Sequence, residues 1–378
     1  MHRYSKTLER HQMIPLFKVI IDSDVAEDIR QVMQSGYIGQ GPKVLEFEQA
    51  LKPRLGENVL TTNSGTSALH LALRLAGVGY DDEVISTPMT CTATNMPILE
   101  RGGKIVWADI DPWTGNISVE DVRKKITSKT KALMCVHWGG WPCDLEGLSE
   151  IGQEYGIPVI QDAAHAFGAV YGGLLISEWS SFTCFSFQAI KHLTCIDGGA
   201  LVCGDREQYD RGKLLRWYGI DRDSDRKDFR CEEDIAEYGY KFHMNDVNAT
   251  VGLKQLQHID KILACHRVNA QYYTKELSGL KKVKLLKYNE IASTGSYWLY
   301  TVRVDDVFHF MGWMKEQGIT VSQVHVRNDK HMAFGGMKEQ LVGVDDFCQH
   351  QVSIPVGSWL SEKDIEHIAE SIKIYDWS

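Results

Sequence analysis

Between Asn58 and Cys203, short apolar runs alternate with segments of helix length, and this order restricts the fold more than any other feature of the chain. NVLTTN, EVISTP, KIVWADID, ALMCVHW, IPVIQDAA, SFTCFSF and GALVCG read as strands. SGTSALHLALRLAG, a segment near 92–101, SVEDVRKKI and DLEGLSEIGQEYG read as helices. Such an alternation implies βαβ units, hence an α/β fold with a mainly parallel sheet flanked by helices.

The flanking segments are organised differently. Residues 1–21 read as an extended arm whose IPLFKVII end is apolar enough to dock. Asp22-Ser23 opens a helix carrying Val25, Ile29 and Val32, and Gly36 stops it. GYIGQGP predicts a glycine loop that approaches a ligand or partner closely, and a helix through Val44, Phe47, Leu51 and Leu55 follows it. Residues 205–219 predict a helix, 220–237 a charged surface loop, and roughly 244–279 one long helix joining two domains. KVKLL, SYWLYTVRV and TVSQVHV then predict strands, with helices at DVFHFMGWMKEQG and SEKDIEHIAESIK, a small α+β unit. A chain of 378 residues suits this division. Residues 1–245 would form the arm and the large domain, and 246–378 the interdomain helix and the small domain.

Composition excludes several functions. A formal net charge of −9 gives no general attraction to nucleic acid or anionic lipid. No run of about 18 apolar residues predicts a membrane span, and MHRYSKTLERHQ lacks the apolar core of a signal peptide. The nine cysteines show no CxxC and the fourteen histidines no HExxH. That pattern predicts reduced core thiols in a cytoplasmic protein and no metal site.

Three places carry chemistry. Asn63-Ser64-Gly65-Thr66-Ser67 lies between a strand and a helix, where free amides and the helix dipole favour a phosphate; the same turn would serve as a simple cap. Asp162, in QDAAHA, closes a buried strand at the end where open α/β sheets bind ligands. It could hold a pyridinium nitrogen protonated, cap a helix or join an ion pair. Lys191 lies between two apolar strands, and a desolvated amine there can attack carbonyls or pyridoxal phosphate; at a strand end it could equally point to water.

The order phosphate turn, Asp162, Lys191 resembles the fold-type I aminotransferases that use pyridoxal phosphate. More closely, the chain resembles the DegT/DnrJ/EryC1/StrS sugar aminotransferases, through GYIGQGPKVLEFE, NSGTSAL, DEVISTPMT, DIDPWTGNI, QDAAHAFGA and FSFQAIKHLTCIDGGAL. The resemblance implies roles by position. Lys191 would attach the cofactor covalently and later carry protons. Asp162 would pair with the pyridine nitrogen, Gly65, Thr66 and Ser186 would hold the phosphate, and His165 would pack beside the ring and orient Asp162, or serve as a core histidine. Three positions depart from the family. Cys91 stands where an aromatic residue usually stacks on the ring. Lys241, in Gly-Tyr-Lys, replaces the asparagine that reaches the neighbouring subunit's phosphate, and Tyr218-Gly219 replaces His-Gly. The implied assembly is a homodimer with its site at the interface. Trp138, Trp141, Tyr218, His325 and Arg327 are candidates for the sugar site, Arg327 as a bidentate diphosphate ligand; for the aromatic residues, core or dimer packing is the competing role.

The resemblance thus implies amination of a nucleotide-linked keto sugar, with glutamate as amino donor, in amino-sugar and polysaccharide biosynthesis. C4 of a 4-keto-6-deoxyhexose is favoured, because Thr194 matches members that aminate C4 and its hydroxyl could bond cofactor or sugar. Asp197 matches those that aminate C3. A 3-aminotransferase, a 3-dehydratase (which carries histidine in place of the lysine) and a non-catalytic regulator are the alternatives.

Overall fold

A computed structural model describes residues 13–224 and 234–377. The first part of the expected arm and the middle of the expected charged loop lie outside the described residues.

Helices α1 (Val25–Ser35) and α2 (Pro42–Leu55) precede β1 (Val59–Thr62), α3 (Gly65–Leu75), β2 (Glu83–Ser86), α4 (Thr92–Glu100) and β3 (Lys104–Trp107). The alternation continues through α5 (Val119–Lys125), β4 (Thr130–Val136), α6 (Leu145–Tyr155) and β5 (Val159–Asp162). Two short strands, β6 (Val170–Tyr171) and β7 (Leu174–Leu175), stand apart before β8 (Phe182–Ser186), β9 (Gly199–Cys203) and α7 (Arg206–Leu215). Then come α8 (Asp246–Leu256), α9 (Ile259–Glu276), β10 (Val283–Leu285), β11 (Ser293–Thr294) and β12 (Tyr300–Val304). The chain closes with α10 (Val307–Glu316), α11 (Val342–His350), β13 (Gln351–Ile354) and α12 (Glu362–Trp377). Ser64, Ser118, Asp144, Asp205, Asn245 and Asp306 cap their helices by accepting a first-turn amide, which is why those helices start where they do.

The large sheet has seven strands in the order β1-β9-β8-β5-β4-β2-β3. All run parallel except β9, which is antiparallel to both neighbours. Successive side chains enter opposite faces. Ile85, Leu133, Val159, Phe185 and Val202 pack with α2, α6 and α8 on one face. Val84, Met134, Ile160, Cys184 and Leu201 pack with α3 and α7 on the other. The carboxyl ends of β1, β2, β5 and β8 therefore share one edge, where an open α/β sheet leaves its crevice.

Several expectations are corrected. The single helix expected over 244–279 is two helices: the chain turns at Gln257-His258, whose amides bond back to Lys254 O and Gln255 O in tight i→i−3 geometry. α8 packs on α1 and α2 and so belongs to the large body. In the small sheet, order β10-β12-β13, the third strand is Gln351–Ile354 and not TVSQVHV. Among the described residues the latter makes the single bridge Ser322–Ser353, because the left-handed Val324 (φ 57°) ends its extension. SYWLYTVRV is a strand only from Tyr300. Tyr297 takes φ 53° and turns the preceding residues toward the large sheet.

An ion pair ties three elements beneath the site edge. Arg216 after α7 is 1% exposed and its Nη1 meets Glu48 of α2 and, at 2.8 Å, Thr61 O of β1. Glu48 Oε1 also accepts the Thr61 amide and hydroxyl, each at 2.8 Å. Removing one partner leaves the other charge buried and unpaired, so Arg216→Ala should destabilise the protein by about 3–5 kcal/mol. Urea unfolding should show a clearly lowered midpoint, partly recovered in Glu48→Leu/Arg216→Met; an unchanged midpoint would contradict the role given to this pair.

Candidate active site

The crevice at the sheet edge is a cavity of ≈ 610 Å³. Ser64, Gly65 and Thr66 enter it from the start of α3, Asp162 from the end of β5, Ser186 from the end of β8, and Lys191 from the loop joining β8 to β9. Cys91, His165 and His325 line it as well, with Leu16 and Phe17 of the N-terminal arm, Trp298 and Asp197.

The phosphate-type turn is built by close backbone approach. Gly199, at the start of β9, packs so tightly on the turn that a Cβ there would lie 2.6 Å from Gly65 N and Ser64 O. A Cβ on Gly65 would lie 2.8 Å from Ser186 Cβ. Both glycines are needed because no side chain fits between the two strands' loops. Ser64 Oγ accepts the Ser67 amide, and the amides at the N-terminus of α3 give the turn an anion-binding end.

Asp162 is 5% exposed. Its Oδ2 accepts the Thr94 hydroxyl at 2.7 Å and its Oδ1 the Ala164 amide at 3.0 Å. Thr90 and Thr94 hydroxyls lie 2.8 Å apart, and because Thr94 donates to the carboxylate, it accepts from Thr90. The expectation that His165 orients Asp162 is thus corrected: Thr94 and the Ala164 amide do so. Their position gave no sign of this in the sequence, since Thr94 comes from α4, which only the fold brings against β5.

Lys191 carries its amine into the cavity, where burial outweighs attraction by Asp162 and lowers its pKa to about 7. Nζ lies 3.4 Å from the centre of the Trp298 ring. His165 stacks on the same indole at 3.9 Å, and His325 lies parallel to His165 at 5.6 Å. Burial, then repulsion from Lys191, lowers His325 to about 4. Burial first and the same lysine next keep His165 well below the usual histidine range. Aromatic surface is thus supplied by Trp298, Phe17 and His165, while Cys91 offers a small thiol at the start of α4.

Other candidates fall elsewhere. Trp138 is fully buried, packed edge-on to Phe347 at 5.2 Å with Nε1 donating to Thr301 Oγ1 at 3.2 Å, and is core. Trp141 stacks on Tyr288 at 4.2 Å, away from the cavity. Arg327 is 6% exposed and its guanidinium is held by Asp329 Oδ1 at 2.7 Å and by Asp345, so no face remains for a diphosphate. Tyr218 is exposed beside Trp217, and Lys241 Nζ rests 4.2 Å from the Trp217 ring centre, both outside this cavity. The Thr194 hydroxyl accepts the Ile196 amide at 3.0 Å and is spent in its own turn. Against the expectation of no metal cluster, Cys135, His137 and Cys143 converge to within 4.8 Å. His137, however, uses both ring nitrogens: Nε2–H donates to Gln161 Oε1 at 2.7 Å, and Nδ1 accepts the Cys143 amide at 3.0 Å. Gln161 spends its own amide hydrogens on Ile176 O and Ser180 Oγ, which fixes this tautomer.

His165 Nδ1 and His325 Nε2 are buried polar atoms without a partner among the described residues. Together with the glycine cradle, the Asp162 carboxylate and the Lys191 amine, they fit a flat phosphorylated aldehyde with a basic ring nitrogen. The sequence profile of the DegT/DnrJ/EryC1/StrS aminotransferase family matches residues 19–373. AtS13 from Actinomadura melliaura is 43% identical, with a TM-score of 0.91 over 97% of this chain and 99% of its own. The sugar aminotransferase CalS13 from Micromonospora echinospora is 39% identical, with a TM-score of 0.91 over 96% and 100%. Spr1654 from Streptococcus pneumoniae, solved in a PLP-form, is 25% identical, with a TM-score of 0.88 over 96% and 98%.

Gly199→Ala should push the turn at Ser64-Gly65 out of place and weaken pyridoxal phosphate binding at least tenfold, about 1.4 kcal/mol. Gly312→Ala, with nothing within 4 Å of the added carbon, should leave it unchanged. Absorbance titration of the stripped proteins reads both, and equal affinity in Gly199→Ala and the native chain would refute the close-approach argument.

Proposed function

The chain belongs to the DegT/DnrJ/EryC1/StrS aminotransferase family and is a pyridoxal phosphate-dependent sugar aminotransferase; from that premise we propose that it moves an amino group from glutamate to C4 of a nucleotide-linked 4-keto-6-deoxyhexose, in a site completed by a second copy of the chain. The observation that carries the site is the convergence of the Gly65-Thr66 turn, Asp162 and Lys191 on one cavity.

Pyridoxal phosphate, when bound, supplies a carbonyl that accepts the amino group and a ring that stores an electron pair. The chain's own residues do the rest. The Gly65 and Thr66 amides and the Ser186 hydroxyl would hold the phosphate. The Asp162 carboxylate, fixed by Thr94 and the Ala164 amide, would keep a proton on the ring nitrogen. Lys191 Nζ would be the point of attachment and, when free, would hold and move a proton. An amine with a pKa of about 7 is half protonated near neutral pH, so Nζ can both take and return that proton. The histidines, neutral at that pH, offer hydrogen bonds to the cofactor or sugar without adding charge beside Lys191.

Lys241 is assigned to the partner subunit's phosphate. Its side chain is exposed and outside its own cavity, and an isologous interface would complete both sites at once. No face of Arg327 is left for the nucleotide, whose place in the reading rests on the family resemblance.

Amination at C3 is the second reading. Thr194, the residue that favours C4, has its hydroxyl engaged in a turn, whereas Asp197, which matches C3-aminating members, lines the cavity. The pose of the sugar decides which carbon comes within bonding reach. With UDP-, GDP- and dTDP-linked 4-keto sugars and glutamate, NMR of the product should place nitrogen on C4; nitrogen on C3, or turnover of the 3-keto isomer alone, would select the second reading.

Mixing inactive Lys191→Ala chains with Lys241→Ala chains should restore about half of native activity per heterodimer, hence about a quarter in a fully exchanged equal mixture, because one site then has both lysines. No recovery, with subunit exchange demonstrated by mass spectrometry, would count against a shared site.

A further inference from the structure

The amine of Lys191 rests on a ring. Its contact with Trp298 at 3.4 Å has no accompanying hydrogen bond or ion pair of that amine among the described residues. A desolvated ammonium without acceptors is costly, and the face of an indole is the strongest aromatic partner for a cation.

The indole is held in place from several directions. Trp298 is 3% exposed, and its Nε1–H donates at 2.8 Å to the carbonyl of Ile190, the residue before the lysine. Phe17 of the arm stacks on it at 4.9 Å and 21°, and His165 at 3.9 Å and 25°. The segment that carries it is fastened by Ser296 Oγ to His165 O at 2.9 Å and by the Leu299 amide to Gly139 O at 3.1 Å. The left-handed Tyr297 makes the turn that delivers it.

From this geometry we propose that Trp298 is a positioning residue whose indole face holds the free ammonium of Lys191 in the cavity whenever that amine is not bonded to the cofactor. The inference rests on the reading of Lys191 as the attachment point. It answers a requirement of any reaction in which the lysine is displaced and must later return. A long flexible side chain released beside the Asp162 carboxylate and exchanging substrates has to be kept at hand, yet not clamped by a hydrogen-bonded anion that would keep it protonated. The π face meets both needs: it favours the charged form, while burial favours the neutral one, and the amine titrates between them.

The test uses the full-length chain stripped of cofactor. The pH dependence of Lys191 acylation by an amine-selective reagent is followed by peptide mass spectrometry in the native protein, Trp298→Leu and Trp298→Phe. Both variants lose the bond to Ile190 O, but only leucine loses the π face. The midpoint should move to lower pH by about one unit in Trp298→Leu and by less than half as much in Trp298→Phe. Equal shifts in the two variants, or no shift, would overturn the proposal, since a purely structural role predicts one of these. If Trp298→Leu does not fold, mono- and difluorinated tryptophans in the native chain weaken the ring's attraction without changing its shape. The midpoint should then step down with each fluorine, and a constant midpoint overturns the proposal. Borohydride reduction of the cofactor-loaded protein separates the two layers. A label on another lysine removes the reading of the site, and the proposal with it. A label on Lys191 with an unshifted midpoint removes the proposal alone.

Discussion

One strand that runs against its neighbours sets the geometry of the site. β9 lies between β1 and β8 and is antiparallel to both. The loop that feeds it must therefore return along the carboxyl edge of the sheet, and that loop carries Lys191. At the start of β9, Gly199 lies against the backbone of Ser64 and Gly65, which brings the amine-bearing loop and the turn before α3 into contact. Had β9 been parallel, its connection would have crossed a face of the sheet and taken the lysine away from the edge where Asp162 and the turn lie.

Charge at that edge is organised by desolvation. Lys191 is weakened as a cation by burial, and the histidines around it are kept neutral by burial and by the lysine itself. Asp162 is a buried carboxylate among them, oriented by one bond to each oxygen, from Thr94 and from the Ala164 amide, with acceptor capacity left over. The arrangement divides the work expected of a site of this class: a fixed anion at one end, an amine that titrates near neutrality at the other, and uncharged hydrogen-bonding rings between. Compare Arg327, which is also buried but meets Asp329 and Asp345 at once. Its charge is satisfied and so serves the fold of the segment before α11.

The cavity walls come from distant parts of the chain. The arm places Leu16 and Phe17, with Ile14 bridged to Ile319, and the approach to β12 places Trp298. These pieces have little regular structure. They are held by single hydrogen bonds and ring stacking against the rigid sheet edge, the usual division between scaffold and binding residues.

The sequence by itself determined the α/β class and the order of the seven strands of the large sheet, and it singled out the Ser64–Thr66 turn, Asp162 and Lys191, which the fold brings to one cavity. These are local signals: apolar runs of strand length, caps, glycines and a lysine between two buried strands, each readable within a few residues of itself. Tertiary structure decided what long-range contact decides. Thr94 reached Asp162 and Trp298 reached Lys191 because elements far apart in the chain pack side by side. Arg327 found carboxylates, Trp138 found Phe347, and Thr194 turned its hydroxyl into its own loop, each a choice of partner that no spacing encodes. The break between α8 and α9 and the strand at Gln351–Ile354 belong with these. Helical periodicity continues through the break, and the strand is stabilised by pairing with β12 across many residues of intervening chain.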